Sequence, residues 1–177
     1  MRRYKNMLQK PNEIEALCSF LADKKIKTII EIGVERGGTT ILWANLVGKK
    51  GKVFAIDLYS VQPVYRGEKP KEITEIVGDS HSLGVVQVLQ NHLGNERVDL
   101  LFIDGDHSYE GARADYEDYK PFVKSGGWIV FHDIVNQPVA NLWQELKKQD
   151  VFSLEIIDQT HYDTDWEGWG GIGVLGA

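Results

Sequence analysis

The chain has 177 residues, of which 42% are hydrophobic and 26% are charged, and its formal net charge at pH 7 is −6. A chain of this length can bury one core of ordinary size, so we predict a single domain over residues 1–177. Nucleic-acid-binding proteins usually have a basic surface, so the negative net charge of this chain argues against a nucleic-acid partner. The single cysteine excludes an internal disulfide, and no apolar run is long enough to cross a membrane. We therefore expect a soluble, cytoplasmic protein with no membrane partner.

Apolar periodicity and turn residues divide the chain into alternating helices and strands. Apolar residues at helical spacing follow Pro11, and β-branched runs farther along are typical of strands buried on both faces. The predicted helices are Asn12–Lys24, a helix through Thr39 and Thr40 to Leu46, Ser82–Leu93, a helix after Ser108, and Asn141–Lys148. The predicted strands are Lys27–Ile32, Lys52–Asp57, Glu72–Val77, Val98–Asp104, Trp128–His132, Phe152–Ile157 and Gly171–Leu175. We also predict an irregular segment over Leu58–Lys71 and a turn at Gly126 and Gly127.

This alternation predicts an α/β fold with a doubly wound, seven-stranded and mostly parallel sheet. Only a loop separates the last two strands, so we expect them to form a hairpin in which the last strand is antiparallel. Within the single domain we distinguish an N-terminal helical segment (1–26), a cofactor and catalytic core (27–134), and a C-terminal helix and hairpin (135–177).

Acids and histidines follow two consecutive strands of the predicted sheet. Consecutive parallel strands end on one edge, and open α/β sheets bind their ligands there. The residues brought to this edge are Asp104, Asp106, His107, His132 and Asp133. Two acidic strand ends with imidazoles between them can form a metal site, a general base, or both. Magnesium prefers oxygen ligands, whereas imidazole suits zinc, iron or manganese better, so the residues leave the metal undecided.

A glycine-containing turn follows the first strand, over Glu31–Thr39. Glycines let the backbone approach a ligand, and the next helix presents free N–H groups. Asp57 ends the second strand, at the position expected for an acid that binds ribose hydroxyls, and Asp79 at the third strand end can reach an adenine amino group. The turn departs from the dinucleotide pattern and the chain lacks a P-loop, which indicates a nucleoside ligand other than a nicotinamide cofactor.

Each candidate also has a structural interpretation. Asp57 could cap a turn, Asp79 could be the N-cap of the following helix, and Asp106 could accept hydrogen bonds from backbone N–H groups of its loop. His132 could hydrogen-bond below the site without touching a metal. Other side chains have a structural interpretation. We expect Asp115 and the pair Glu117–Asp118 to form a solvated helix face, and His81 and His92 to be surface or satisfied side chains of a helix. The loop Tyr162–Trp169 fits either a substrate lid or simple packing.

Several of these motifs together resemble the class I S-adenosylmethionine-dependent methyltransferases. More narrowly, the chain is similar to the small O-methyltransferase group that includes the macrolide-sugar O-methyltransferases and the cephalosporin-hydroxylase-like proteins. The motifs that carry the resemblance are Glu31–Thr39, Asp57, Gly78-Asp79-Ser80, Asp104–Gly111, and Gly126-Gly127 through His132-Asp133. They cover roughly Lys27 to Ile134, and the run from Asp104 is the most specific of them.

The resemblance implies a Rossmann-like class I methyltransferase fold with S-adenosylmethionine as cofactor. It places Glu31 and Gly33 around the methionine part, Asp57 at the ribose, and Asp79 and Ser80 at the adenine, and it includes Gly37 among the cofactor-binding residues. It also places a divalent metal, magnesium or manganese, at Asp104 and Asp133, and assigns the role of base to His107. Relatives commonly carry a carboxylate where this chain has His132, which makes His132 a third candidate metal ligand.

The resulting prediction is O-methylation of a hydroxyl on a small-molecule acceptor. Methyl transfer is an in-line displacement, for which the attacking oxygen must be aligned and deprotonated. The alternatives are methylation of a nitrogen or a macromolecule, and a non-catalytic domain that binds a nucleoside or a partner. The chain lacks the Asn/Asp-Pro-Pro-Tyr motif of amino-methylating nucleic-acid enzymes, which argues against the first alternative. A second copy of the chain, in a homo-oligomer, is one way in which the pocket could be completed.

Overall fold

The computed structural model describes residues 9–60, 69–135, 138–149, 152–158 and 170–177, and the statements below concern these residues. They form one seven-stranded sheet with helices against both faces. The strands are β1 (Thr28–Ile32), β2 (Lys52–Asp57), β3 (Ile73–Val77), β4 (Val98–Ile103), β5 (Val123–His132), β6 (Ser153–Ile156) and β7 (Ile172–Gly176). The helices are α1 (Pro11–Leu21), α2 (Gly38–Val47), α3 (Leu83–Leu93), α4 (Tyr109–Tyr119) and α5 (Val139–Leu146). None of these helices is both long and apolar enough to span a membrane.

The strand order is β3-β2-β1-β4-β5-β7-β6. Strands β1 to β5 pair in parallel, whereas β7 is antiparallel to both of its neighbours, β5 and β6. This confirms the predicted doubly wound sheet with a reversed last strand. The order changes direction between β1 and β4, because the chain runs outward to β3 before it returns to β4. Such a switch point opens a crevice at the carboxyl ends of the strands, where ligands bind in open α/β sheets.

Two layers of apolar side chains hold the helices on the sheet. The residues of β1 are all buried, as expected for a strand that is covered on both faces. One layer joins α1 and α2 to the sheet through residues such as Ile14 and Trp43, and the other joins α3, α4 and α5 through Leu89, Tyr119 and Trp143. Burial of each of these side chains contributes on the order of 1.5–3 kcal/mol.

Several element boundaries differ from the sequence prediction, and the largest difference is in β5. Strand β5 begins at Val123, because the two glycines predicted as a turn lie inside the strand. Gly126 has a φ of +75°, and the pairing of β4 with β5 shifts register between Val98 and Leu100, so this glycine pair forms an irregularity in the ladder. Helix α1 ends three residues earlier than predicted and α5 begins two residues earlier. The predicted irregular segment is described only in part, since residues 61–68 lie outside the described ranges.

Serine hydroxyls cap the two helices that flank the carboxyl edge. Ser82 precedes α3 and accepts a hydrogen bond from the backbone N–H of Val85, and Ser108 does the same for α4 with Gly111. The interpretation of Asp79 as the N-cap of α3 is therefore wrong. The carboxylate of Asp79 instead accepts a hydrogen bond from the backbone N–H of His81, in the turn before the helix.

Candidate functional site

An open cleft of about 840 Å³ lies at the carboxyl edge, over the switch point of the sheet. The loops after five of the strands supply its walls. Eight of the ten predicted site residues line it: Gly33, Asp57, Asp79, Ser80, Asp104, His107, His132 and Asp133. Glu31 and Gly37 do not. The structure therefore brings together the nucleoside-binding and the acid–imidazole candidates in one cavity.

The glycine turn after β1 packs closely against the end of β4. Gly33 has a φ of +84° and donates its N–H to the carbonyl of Ile56. A Cβ atom at this position would lie 2.0 Å from the carbonyl oxygen of Asp104, so only glycine fits. Gly37 is the left-handed residue that precedes α2, outside the cleft lining. The two glycines thus shape the turn, and Gly33 also exposes backbone to the cleft.

Asp57, at the end of the neighbouring strand β2, accepts hydrogen bonds from the backbone of this turn. Its Oδ2 accepts hydrogen bonds from the backbone N–H groups of Val34 at 2.7 Å and Glu35 at 2.9 Å. Its Oδ1 accepts a third from the N–H of Tyr59 at 3.1 Å. The turn-capping interpretation of Asp57 is confirmed. A carboxylate has about four lone-pair positions, so Asp57 retains acceptor capacity toward the cleft that it lines.

Glu31 is fully buried below the turn rather than on the cleft wall. The hydroxyl of Thr40 donates to its Oε2 at 2.5 Å. Burial raises the pKa of the Glu31 carboxyl to about 8, and the negative charge of Asp104 adds to this effect. Its carboxyl is therefore largely protonated at pH 7 in the folded chain. Glu31 thus joins β1 to α2 through Thr40, and its contact with the cofactor stays a prediction.

Two carboxylates and two imidazoles meet at the ends of β4 and β5. The Nε2 atom of His107 lies 3.5 Å from Asp104 Oδ1 and 3.4 Å from Asp133 Oδ2. The Nδ1 atom of His132 lies 3.1 Å from Asp104 Oδ1 and 3.3 Å from Asp133 Oδ1. His107 is partly exposed to the cleft, with 41% of its side chain accessible, whereas His132 is buried. The four groups form a compact acid–imidazole cluster at the cleft wall, and His107 is its most exposed member.

Mutual attraction sets the protonation of this cluster. Burial alone would raise the pKa of Asp104, but the two histidines lower it to about 2. Burial alone would lower the pKa of His132, but Asp104 and Asp133 raise it to about 10. The hydrogen bond with Asp104 raises the pKa of His107 as well, against the effect of burial. The arrangement therefore stabilises carboxylate anions facing protonated imidazoles.

The backbone at the end of β5 is unusual. Asp133 has a φ of +59°, in the left-handed region that aspartate tolerates better than most residues. The N–H of Gly170 donates to its Oδ1 at 2.7 Å and helps to hold it there. Strained positions of this kind persist where the surroundings fix them, and they cluster at functional sites. The strain turns the Asp133 carboxylate toward Asp104 and His107.

The ligand atoms of Asp104, His107 and Asp133 all lie within 4.8 Å of one another. Two carboxylates and an imidazole fit a divalent cation, and this mixed set suits manganese better than it suits magnesium. The sequence had predicted His132 as the third ligand. Among the described residues the structure groups His107 with the two acids. His132 is buried with its Nδ1 beside both carboxylates, and its role as a metal ligand stays a prediction. Asp106 lies outside this set and accepts from the N–H of Ser108, as its structural interpretation predicted.

Three residues of the site region were missed or misassigned from the sequence. Gln9 donates from Nε2 to Asp104 Oδ2 at 2.5 Å and accepts from the hydroxyl of Thr39 at 3.1 Å. No motif marked Gln9, because it lies far from the strand ends in sequence. His81 lines the cleft in the turn before α3, not within a helix.

Asp115 is fully buried, so its assignment to a solvated helix face is wrong. Helical spacing could have revealed this, because Asp115 falls on the same face as the buried residues Ala112 and Tyr119. The acidic neighbours Glu117 and Asp118 are exposed as predicted. His161 and the late loop fall in residues 159–169, outside the described part of the chain, and the lid interpretation stays a prediction.

The family model described as "Methyltransferase domain" matches residues 30–134, which is more than half of the chain. The chain therefore belongs to this methyltransferase-domain family, and the predicted family resemblance is confirmed. The matched range begins in β1 and ends just after β5, so it contains the glycine turn, the strand-end acids and both histidines of the cluster.

Among curated relatives, the ribosomal RNA large subunit methyltransferase E of Nitrosomonas europaea is 31% identical over 86 residues, covering 49% of this chain and 39% of that protein. The chain spans about two fifths to one half of the length of the curated relatives that it matches.

Solved structures support the same fold. An O-methyltransferase from Bacillus cereus in complex with S-adenosylhomocysteine superposes with a TM-score of 0.71 at 19% identity, covering 95% of this chain and 82% of that chain. The MycE methyltransferase of the mycinamycin biosynthetic pathway, in complex with Mg, S-adenosylhomocysteine and mycinamycin VI, superposes with a TM-score of 0.64 at 16% identity, covering 92% of this chain and 47% of that one. At these identities the likeness is one of fold, and it confirms the predicted Rossmann-like methyltransferase fold.

Proposed function

We propose that this protein binds S-adenosylmethionine in the cleft and catalyses transfer of its methyl group to a hydroxyl oxygen of a small molecule. The observation that carries the proposal is the position of His107, a partly exposed imidazole held by Asp104 and Asp133 inside the cleft. A base at this position can serve a hydroxyl acceptor directly. Family membership and the fold of cofactor-bound methyltransferases support the cofactor.

The cofactor half of the cleft follows the loops after β1, β2 and β3. The exposed backbone at Gly33 and the free N–H groups at the start of α2 suit the polar end of the methionine part. Asp57 would accept hydrogen bonds from ribose hydroxyls, and Asp79 would accept from the amino group of the base. Each hydrogen bond to a charged group contributes on the order of 1.5–3 kcal/mol, which is enough for two acids to determine the ligand.

His107 would remove the proton of the acceptor hydroxyl. S-adenosylmethionine supplies an activated methyl group; the bond from carbon to the acceptor oxygen forms as the bond from carbon to sulfur breaks, and S-adenosylhomocysteine leaves. In its neutral form the imidazole of His107 takes this proton, and the carboxylates of Asp104 and Asp133, which lie next to Nε2, stabilise the resulting cation. Because these carboxylates raise the pKa of His107, the neutral form becomes more abundant as the pH rises. A positioned base of this kind contributes typically 10²- to 10⁴-fold in rate.

We further propose that Asp104, His107 and Asp133 can hold a divalent ion, either manganese or magnesium. Such an ion would orient the acceptor and lower the pKa of its hydroxyl. The Mg ion in the MycE complex supports metal assistance in a protein of this fold. A neutral imidazole has only one acceptor nitrogen, so His107 cannot ligate an ion and act as a base at the same time. Metal dependence therefore distinguishes a role as ligand from a role as base.

The charge of the cleft favours a small, uncharged or cationic acceptor. Five aspartates line the cleft: Asp57, Asp79, Asp104, Asp106 and Asp133. Arg36 is the one lysine or arginine in the described lining. Because a phosphate backbone would meet this acidic wall, RNA fits poorly. RNA nevertheless stays the second candidate acceptor, since a relative is a ribosomal RNA methyltransferase.

The first experiment is calorimetric titration of S-adenosylhomocysteine, with and without added magnesium or manganese. Micromolar binding is the expected result, and a metal-dependent change would support the proposed metal site. Release of S-adenosylhomocysteine is then followed over a panel of hydroxyl compounds and over ribosomal RNA. Absence of binding under all conditions would contradict the proposal, and tight binding without turnover would favour a non-catalytic domain.

The role of His107 is tested by His107→Ala, with His92→Ala on the exposed face of α3 as the matched control. We expect turnover to fall by about 10²- to 10⁴-fold while S-adenosylhomocysteine still binds within a few fold of wild type. Wild-type turnover in the His107 variant would eliminate this residue as the base.

A further inference from the structure

Gln9 contributes a side chain to the cleft from outside the residues that match the family model. The residue is buried, with 8% of its surface exposed. Pro11 begins α1, and Lys10 before it has an extended backbone, with φ −63° and ψ 127°, as expected for a residue that precedes proline. Gln9 therefore lies outside the first turn of α1, where its side chain meets the sheet edge. The proposed catalytic step does not use Gln9.

Both polar ends of the Gln9 side chain have a partner. Its Nε2 donates to Asp104 Oδ2 at 2.5 Å, and its Oε1 accepts from the hydroxyl of Thr39 at 3.1 Å. A carboxylate can only accept hydrogen bonds, so Asp104 determines which end of the amide faces it. Thr39 lies in the first turn of α2 and is itself buried. Burial of an amide is costly unless it is hydrogen-bonded, so these two contacts fix the side chain between α2 and the end of β4.

The two oxygens of each acid in the cluster have different surroundings. Oδ2 of Asp104 accepts from Gln9, whereas Oδ1 lies 3.5 Å from His107 Nε2. Asp133 shows a similar arrangement, since its Oδ1 accepts from the N–H of Gly170 at 2.7 Å and its Oδ2 lies 3.4 Å from His107 Nε2. Each acid thus has one oxygen held by an N–H group from a distant segment and the other oxygen next to His107.

We propose that Gln9 is a positioning residue for the divalent ion: it holds Oδ2 of Asp104 and so presents Oδ1 to an ion beside His107. The inference rests on the proposed function, because it concerns the proposed ion site of Asp104, His107 and Asp133. A group that hydrogen-bonds to a metal ligand fixes the orientation of that ligand. Without the Gln9 amide, the carboxylate gains rotational freedom, which binding of the ion must then restrict.

The helix that follows Gln9 is anchored independently of its amide. Glu13, fully buried in α1, accepts hydrogen bonds from the N–H groups of Asp158 and Gly171, both at 2.9 Å. Leu17 of the same helix is fully buried in the apolar layer against the sheet. Gln9→Met therefore removes both hydrogen bonds of the side chain and keeps its length, while α1 stays in place.

The test titrates Mn²⁺ alone into the whole chain and measures the free ion by electron paramagnetic resonance. We expect Gln9→Met to raise the dissociation constant of Mn²⁺ by about 10- to 100-fold. Thr39→Val removes only the hydroxyl that orients the amide, so it should give a smaller increase. The control is Gln144→Met, the same change at an exposed position of α5, which should bind Mn²⁺ as wild type does. The dissociation constant of S-adenosylhomocysteine, measured on the same proteins, should stay within a few fold of wild type.

The outcomes separate this inference from the proposed function. If Gln9→Met binds Mn²⁺ as tightly as wild type, the positioning role is refuted while the proposed function stands. Equal losses of affinity for Mn²⁺ and for S-adenosylhomocysteine would indicate a merely structural role and also overturn the inference. If wild type binds S-adenosylhomocysteine but no Mn²⁺, the inference fails together with the ion site, and the cofactor proposal stands. If wild type binds neither, the proposed function itself fails.

Discussion

Glu31 makes the stability of the fold depend on pH in a specific direction. Its folded-state pKa is raised from 4.5 to about 8 by burial. The folded chain therefore holds a proton that the unfolded chain has released between these two values, and stability falls as the pH rises through this window. At about 1.4 kcal/mol for each pH unit, the full effect is about 5 kcal/mol, of which about 4 kcal/mol falls between pH 5 and pH 9.

The variant Glu31→Gln removes this titration and keeps a group that can accept the hydroxyl hydrogen bond of Thr40. Urea unfolding of both proteins at pH 5 and pH 9, without ligand, gives the free energy of unfolding at each pH. We expect the variant to gain about 4 kcal/mol relative to wild type between the two values. Glu35→Gln is the control, because Glu35 is an exposed carboxyl in the same turn. If the difference between wild type and Glu31→Gln stayed constant with pH, the assignment of a protonated, buried Glu31 would be refuted.

Three further predictions concern packing and buried charge. Gly33→Ala should lower the free energy of unfolding, measured in urea, by more than about 3 kcal/mol, because it combines a left-handed φ with a Cβ atom 2.0 Å from the carbonyl oxygen of Asp104. The control Gly94→Ala has a left-handed φ but open space around the new Cβ, and it should lower this free energy by only about 1 kcal/mol. Gly173→Ala should lower the free energy of unfolding by about 1–3 kcal/mol, since its Cβ would lie 2.6 Å from the ring of Trp143; an unchanged melting temperature would contradict this packing. Burial raises the pKa of the Asp115 carboxyl to about 6, so wild type loses stability as the pH rises toward that value. Asp115→Asn does not titrate, and its melting temperature should exceed that of wild type at pH 8 but not at pH 4.

Strand ends are the part of the site that the sequence predicts well. A parallel strand must be apolar on both faces, so its end appears as the first polar residue after a buried run. The sequence therefore predicts Asp57, Asp104 and Asp133 at the carboxyl edge of the sheet, and the structure brings all three to one cleft. Parallel pairing keeps these strand ends level, with Ile32 opposite both Ile56 and Ile103.

Residues that reach the site from helices and distant segments are not predictable by the same reasoning. The contact of Gln9 with Asp104 spans 95 positions of sequence and depends on how the segment before α1 crosses the sheet edge. The start of β5 was missed because a glycine pair usually marks a turn, whereas here it is accommodated as an irregularity opposite β4. Tertiary packing determines both the contact of Gln9 and the start of β5, and neither is encoded in a local pattern.

Buried charge alone does not identify the functional region of this molecule. Glu13 and Asp99 are buried acids, but their oxygens accept hydrogen bonds from backbone N–H groups, which is a structural role. Asp115 and His132 are also buried, yet their nearest charged neighbours are side chains that line the cleft. Away from the cleft, backbone groups hold Glu13 and Asp99, and Lys124 also pairs with Asp99. Asp115 and His132 instead face ionisable side chains around a single cavity. Because natural chains depart from local rules mainly at functional sites, this contrast points to the cleft without reference to any sequence motif.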